Sequence, residues 1–174
     1  MPRVVVVQPL DREAYRPFGD VIAADHGVVP VAANEGTAQK FERLAALDNL
    51  RAGKATLAVS VFRCTPGAVP MEIALLERHL RSTQIFVPMI ARRLLVVVAR
   101  ADATGTRPDL DTLAAFVAGP GQGISYRPGI WHHPMIALDG VAELACFVHE
   151  DGTDDDCEIV RYAETDRARI VMER

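Results

Sequence analysis

Nine short apolar runs dominate the chain, at 4–7, 56–63, 71–79, 84–88, 94–99, 113–118, 124–127, 134–138 and 144–149. They are β-branched or alternate between apolar and polar residues, and turn residues bound them. No amphipathic helix separates one from the next, so the pattern excludes an alternating βα architecture and predicts an all-β fold. The expectation is an antiparallel β-sandwich or barrel of the jelly-roll type. Helix signals are confined to two places. Residues 11–15 predict one capped turn that Pro17 stops, and residues 165–172 predict a short tail helix capped by Thr165 or Asp166. With no repeat, low-complexity tract or linker in its 174 residues, the chain is expected to form a single domain over 1–174.

Charge narrows the function classes. The chain carries 23 acidic residues against 19 Lys plus Arg, with no basic block, so nucleic acid and anionic membrane surfaces are not expected partners. The longest apolar runs, Val4 to Val7 and Leu94 to Ala99, fall far short of the roughly 20 residues that span a bilayer. The first residues lack the apolar core of a secretory signal, and a cytoplasmic location is expected. Three cysteines, Cys64, Cys146 and Cys157, lack Cys-x-x-Cys spacing, which fits a reducing compartment without a disulfide or zinc framework. A chain of this size buries about 70% of its unfolded surface without cross-links. Any metal would therefore serve function.

Four polar residues stand in otherwise apolar strands: Glu77, His79, Gln84 and His132. Period-two alternation puts Glu77 and His79 on one face of their strand and Arg78 on the other. Gln84 follows five residues after His79, and His132 follows a Pro128-Gly129 turn. This spacing resembles the metal site of the cupins, with Glu77-Arg78-His79 where a His-x-His pair would stand and Gln84 in place of a Glu. The resemblance implies a divalent ion on Glu77, His79, Gln84 and His132. One carboxylate, two imidazoles and an amide oxygen suit Ni²⁺, Mn, Fe or Zn. The plainer reading is a set of hydrogen-bonded polar groups in a barrel mouth.

Two longer motifs narrow the resemblance. Leu76-Glu77-Arg78-His79 with Thr83-Gln84-Ile85-Phe86-Val87-Pro88, and Gly129-Ile130-Trp131-His132-His133-Pro134, look like the signatures of the ureidoglycolate lyase family, cupins of allantoin catabolism. Supporting matches lie at Tyr15 to Ile22, Asn34 to Ala38, Leu94 to Ala99, Pro108 to Leu110 and Cys157-Glu158. The chain departs from the family pattern at Lys40-Phe41, where the family tends to have Arg and an aromatic, at Glu150, where it tends to have Arg, and at Leu80-Arg81-Ser82 in place of a Pro-Leu-Gly turn.

The resemblance implies a cupin-like fold, a small-molecule substrate and cleavage of ureidoglycolate to glyoxylate and urea. That chemistry asks for a group to take the carbinol proton, a group to protonate the leaving nitrogen, and a cation for the carboxylate. The catalytic candidates are His132, Glu77 and His133. The substrate-binding candidates are Lys40 for the carboxylate and Asn34 and Tyr126 as hydrogen-bond donors. Strand alternation lets only one of His132 and His133 face a pocket unless the strand is bulged, and His132 is expected inside. A homodimer is expected, since apolar edge strands of small barrels are commonly covered by pairing. The acidic run 151–156 lacks the Gly of a calcium loop and is expected to be solvated. Gly119 to Gly123 lacks the Lys of a phosphate loop and reads as a turn. Two alternatives share the fold: a non-catalytic cupin that senses a small ureide or α-hydroxy acid, and a cupin metalloenzyme acting on another carboxylate.

Overall fold

All six side chains of the strand Leu94–Ala99 are buried, which requires cover on both faces of its sheet. In the computed structural model, which describes residues 3–25, 27–51 and 53–173, the cover comes from two directions. Leu94, Val96 and Val98 face one core, together with Phe86, Ile124, Leu144, Cys146 and Val148 from a facing sheet. Leu95, Val97 and Ala99 face a second core with Leu76, Trp131, Ala168 and Ile170.

The central sheet runs in the order Cys157–Arg161, Leu75–His79, Trp131–His132, Leu94–Ala99, Ala114–Ala118 and Gln8–Pro9, with Ile136–Ala137 also paired to Leu94–Ala99. The facing sheet runs Val21–Ile22, Gly123–Tyr126, Gln84–Ile90, Ala142–Glu150 and Thr56–Cys64, antiparallel throughout. A three-stranded sheet of Val4–Val6, Arg169–Val171 and Met71–Glu72 covers the second core. A hairpin of Val31–Ala33 and Ala38–Lys40 stands apart from these sheets. The expected all-β, cupin-like antiparallel sandwich is thus what forms. Among the described residues no helix is long and apolar enough to cross a membrane.

The helix at residues 11–15 forms as Arg12–Tyr15. Asp11 accepts from the backbone N–H groups of Glu13 and Ala14 at 2.9 and 3.0 Å, and the helix stops before Pro17. Its last residue, Tyr15, is buried and donates to the Ser125 carbonyl at 3.0 Å. Next to it a Cβ on Gly19 would lie 1.8 Å from that same carbonyl oxygen, so only glycine fits.

The tail corrects the expectation of a helix over 165–172. Glu164–Asp166 makes a single 3₁₀ turn, and Arg169–Val171 is a strand paired in parallel with Val4–Val6. Ile170 is fully buried by that pairing. The strand gains a β-branched core contact and a sheet ladder, which outweigh a capping signal at Thr165 worth about 1 kcal/mol. The run at 71–79 also divides, into Met71–Glu72 and Leu75–His79, because the chain passes there from one sheet to another.

Candidate functional site

Strand register assembles the polar residues before any side-chain detail enters. Glu77 stands directly opposite His132 in the antiparallel pair, and His79 lies two residues along the same face. Cross-strand partners on one face lie about 5 Å apart at Cβ, so one register fixes three of the four expected groups. Gln84 and Phe86 arrive from the facing sheet, on the inner side of Gln84–Ile90, opposite Tyr126 and Ile124. Between the sheets lies a cavity of about 1020 Å³ bordered by Glu77, His79, Gln84, His132 and His133. Its outer part is apolar, with Phe62, Met71, Met135 and Ile136.

His132 is the best-determined group of the site. It is buried, and its ring stacks on Tyr126 at 4.0 Å and 8°. Its Nδ1 faces the Ile130 carbonyl at 3.1 Å, so Nδ1 carries the proton and donates, leaving Nε2 as the acceptor. Desolvation pushes its pKa down to about 3, with the Ile130 carbonyl opposing. The ring is therefore neutral near pH 7. Nε2 is buried without a hydrogen-bond partner and lies 3.6 Å from Glu77 Oε1. Desolvation shifts the Glu77 carboxyl the other way, upward from the usual carboxylate range. Two facing groups with opposite shifts are the arrangement expected of proton-transfer chemistry.

The structure brings His133 to the same cavity border, where alternation predicts it outside. The reason is local: the strand ends at His132, and the following Pro134 removes a backbone donor, so alternation no longer applies. His133 Nδ1 faces the Pro134 carbonyl at 2.8 Å. Trp131 points away from the cavity into the second core, beneath the Arg78 guanidinium at 4.4 Å. Arg78 also holds Glu158 and the Gly105 carbonyl, which is a structural role.

Tyr126 lies behind His132 as a stacking platform, with a buried and unpartnered hydroxyl, and is not on the cavity wall. Asn34 and Lys40 are not brought to the cavity of their own chain. Asn34 sits in the turn of the outlying hairpin, and Lys40 pairs with Glu42 at 2.8 Å. The four expected metal donors do share the cavity. As the side chains stand, no group of three His, Cys, Asp or Glu among the described residues is arranged to hold an ion. Gln84 Oε1 and His132 Nε2 are nevertheless buried and unpartnered.

Two contributors are absent from the sequence reading. Arg51 and Asp156 both border the cavity and are nearly fully buried. Arg51 Nη1 lies 2.5 Å from Asp151, and Nη2 lies 3.5 Å from Asp156. Asp156 also accepts from the Arg81 backbone N–H at 2.6 Å and lies 4.0 Å from His79 Nδ1. The run 151–156 is thus solvated except at its last residue, where Asp156 is buried beside Arg51. Desolvation lowers the pKa of His79, opposed by Asp156. No spacing in the chain links residue 51 to residue 156, so only the fold could reveal this cluster.

Comparison with known proteins gives the chain's relatives. A family model described as ureidoglycolate lyase matches residues 2–169. The chain is 42% identical over 156 residues to a ureidoglycolate lyase of Burkholderia cepacia, covering 89% of this chain and 84% of that one. It is 34% identical over 165 residues to one of Pseudomonas fluorescens, covering 95% of each. In shape it is faintly similar to the crystal structure of a dTDP sugar isomerase from Desulfovibrio desulfuricans G20, with a TM-score of 0.47 and 15% identity over 85% of this chain and 87% of that one.

Proposed function

Because the chain belongs to the ureidoglycolate lyase family, we propose that its cavity cleaves ureidoglycolate to glyoxylate and urea, with Glu77 as the proton-transfer group. The observation that carries the assignment of roles is the Glu77–His132 pair, a carboxyl made less acidic by burial facing an imidazole kept neutral by burial.

The reaction conserves protons. The carbinol O–H gives up its proton as the C=O bond forms. In the same step the C–N bond breaks with its electron pair on nitrogen, which takes a proton to complete urea. Hydroxyl and ureido nitrogen sit on one carbon, so a single carboxyl can serve both ends, one oxygen taking the proton while the other returns one. A raised pKa suits Glu77 to this work, since a base that must also act as an acid performs best with its pKa near the working pH. His132, neutral and fixed by the Ile130 carbonyl, accepts from the substrate at Nε2 and holds it against Glu77. Gln84 and His133 complete the polar wall.

The proton balance closes on protein groups alone. A divalent ion, Ni²⁺ first among them, is a separate proposal that stripping and add-back decide. The experiment is glyoxylate and urea release from racemic ureidoglycolate above the spontaneous rate, by the wild type and by folded Glu77→Gln and His132→Ala proteins. Release that both substitutions abolish supports the assignment. Release unaffected by Glu77→Gln overturns the role of Glu77. Tight binding without turnover in the wild type replaces the lyase with a ureide-binding protein.

A further inference from the structure

His79 borders the cavity and has no part in the proton balance of ureidoglycolate cleavage. Its ring lies roughly parallel to that of His132, with centroids 5.8 Å apart and planes at 25°. Glu77 precedes it by two residues on the same strand face and stands opposite His132, so two imidazoles lie beside one carboxyl. The proton of His132 is fixed by the Ile130 carbonyl. His79 Nδ1 meets a carboxylate instead, with Asp156 Oδ2 at 4.0 Å.

Asp156 is anchored to the end of His79's own strand. The Leu80 N–H donates to its backbone carbonyl at 3.2 Å, and the Arg81 N–H donates to Oδ1 at 2.6 Å. Both donors directly follow His79 in the chain, and Cys157 is the cross-strand partner of His79. The carboxylate is thus set in place by the backbone, whatever its other oxygen does. That oxygen, Oδ2, is buried without a hydrogen-bond partner, although Arg51 Nη2 is 3.5 Å away. A buried acceptor left open in this way is uncommon and calls for a cause.

Charge supplies one. The 4.0 Å separation is too long for a hydrogen bond, but the field of the carboxylate still acts across it. A lone pair on Nδ1 would be repelled by Oδ2, whereas an N–H would be attracted. Water screens little here, since the His79 and Asp156 side chains are 18% and 5% exposed. Burial outweighs the pull of Asp156 and keeps the ring neutral near pH 7. A neutral ring with its proton on Nδ1 has a bare Nε2.

We infer that Asp156 is a positioning residue, which holds the proton of His79 on Nδ1 so that Nε2 serves the cavity as an acceptor. His79 and His132 then form a pair of acceptors beside Glu77, one fixed by a carboxylate and the other by a backbone carbonyl. Such a pair suits a substrate rich in N–H donors, as the ureido end of ureidoglycolate is. That match rests on the lyase reading, whereas the tautomer of His79 does not.

The tautomer is read by NMR of protein labelled at the histidine ring nitrogens, at neutral pH, with His79→Gln identifying the His79 signals. In the wild type the proton is expected on Nδ1 with Nε2 bare. In Asp156→Ala it is expected to move to Nε2; Asp156→Leu, which fills the space, serves if the smaller side chain does not support folding. A wild-type His79 protonated at Nε2, as the other tautomer or as imidazolium, overturns the inference. So does a folded Asp156 variant that keeps the wild-type pattern. In an active enzyme Asp156→Ala should raise KM by about ten-fold with kcat changed by less than about three-fold, the loss of one neutral hydrogen bond to bound substrate. An unchanged KM beside a shifted tautomer overturns the acceptor role of His79. A wild type inactive on ureidoglycolate fails the lyase reading alone, and the tautomer still decides the role of Asp156.

Discussion

The neutral state of His132 makes a prediction about stability that needs no substrate. Its folded pKa of about 3 lies below the ordinary imidazole value of 6.5, so the unfolded chain takes up a proton that the folded chain refuses. A depressed folded pKa stabilises the protein above the unfolded value, and that stabilisation is lost as pH falls towards the folded one. At about 1.4 kcal/mol per unit, moving from pH 7 to pH 4 removes roughly 3 kcal/mol through this one ring. Glu77 acts in the opposite sense. Its raised pKa contributes stability below the unfolded carboxyl value, which is lost as pH rises through the folded one. The assay is urea unfolding at pH 7, 6, 5 and 4 for wild type, His132→Gln and Glu77→Gln. Relative to His132→Gln the wild type should lose roughly 3 kcal/mol over that range, and relative to Glu77→Gln it should gain. Wild-type and His132→Gln stabilities that stay parallel within about 1 kcal/mol would refute the neutral, buried imidazole and with it the acceptor role of Nε2.

Three further outcomes follow from the same geometry. Glu77→Gln keeps the shape of the side chain but not its proton chemistry, so turnover should fall by about 10²-fold or more without loss of thermal stability at neutral pH, read by glyoxylate release. Arg51→Met leaves the buried Asp156 without its cation; the expected result is a clearly lower urea-unfolding midpoint, and an unchanged midpoint would show that the pair does not act as a buried one. Ile170→Ala empties a fully buried position between the tail strand and the central sheet and should cost about 2–5 kcal/mol. A helical tail on the surface would lose far less, so thermal unfolding of this variant also tests the correction made to residues 165–172.

What the sequence made legible was set by periodicity. Glu77 and His79 share a face because side chains alternate in any strand, whatever its partners, and their strand was readable from Leu75, Leu76 and the flanking apolar residues. The continuous run Leu94 to Ala99 marked a strand, although not which layers would cover it. What stayed hidden depended on partners distant in sequence. The tail strand forms because Val4–Val6 is there to receive it. Asp156 is buried because Arg51 is there to meet it. His133 reaches the cavity because a two-residue strand ends at His132, a boundary that no local propensity marks.

The charge of the cavity ties these strands of argument together. An anionic substrate must enter a wall of acids, and the protein lightens that wall in two ways within its own chain: burial raises the pKa of Glu77, and Arg51 neutralises part of the cluster at Asp151 and Asp156. Both devices act by removing negative charge, and neither offers a free cation. Arg51 cannot turn to substrate without stranding the buried carboxylate of Asp156. Arg63 borders the cavity and is tied only to Glu143 in an exposed pair of the kind worth about 1 kcal/mol or less. The binding cation is therefore better supplied by this exposed rim arginine than by the buried cluster. If so, Arg63→Ala should raise KM far more than it lowers kcat, whereas Glu77→Gln should do the reverse, because one group binds the carboxylate equally in ground and transition states and the other acts only as the bonds break.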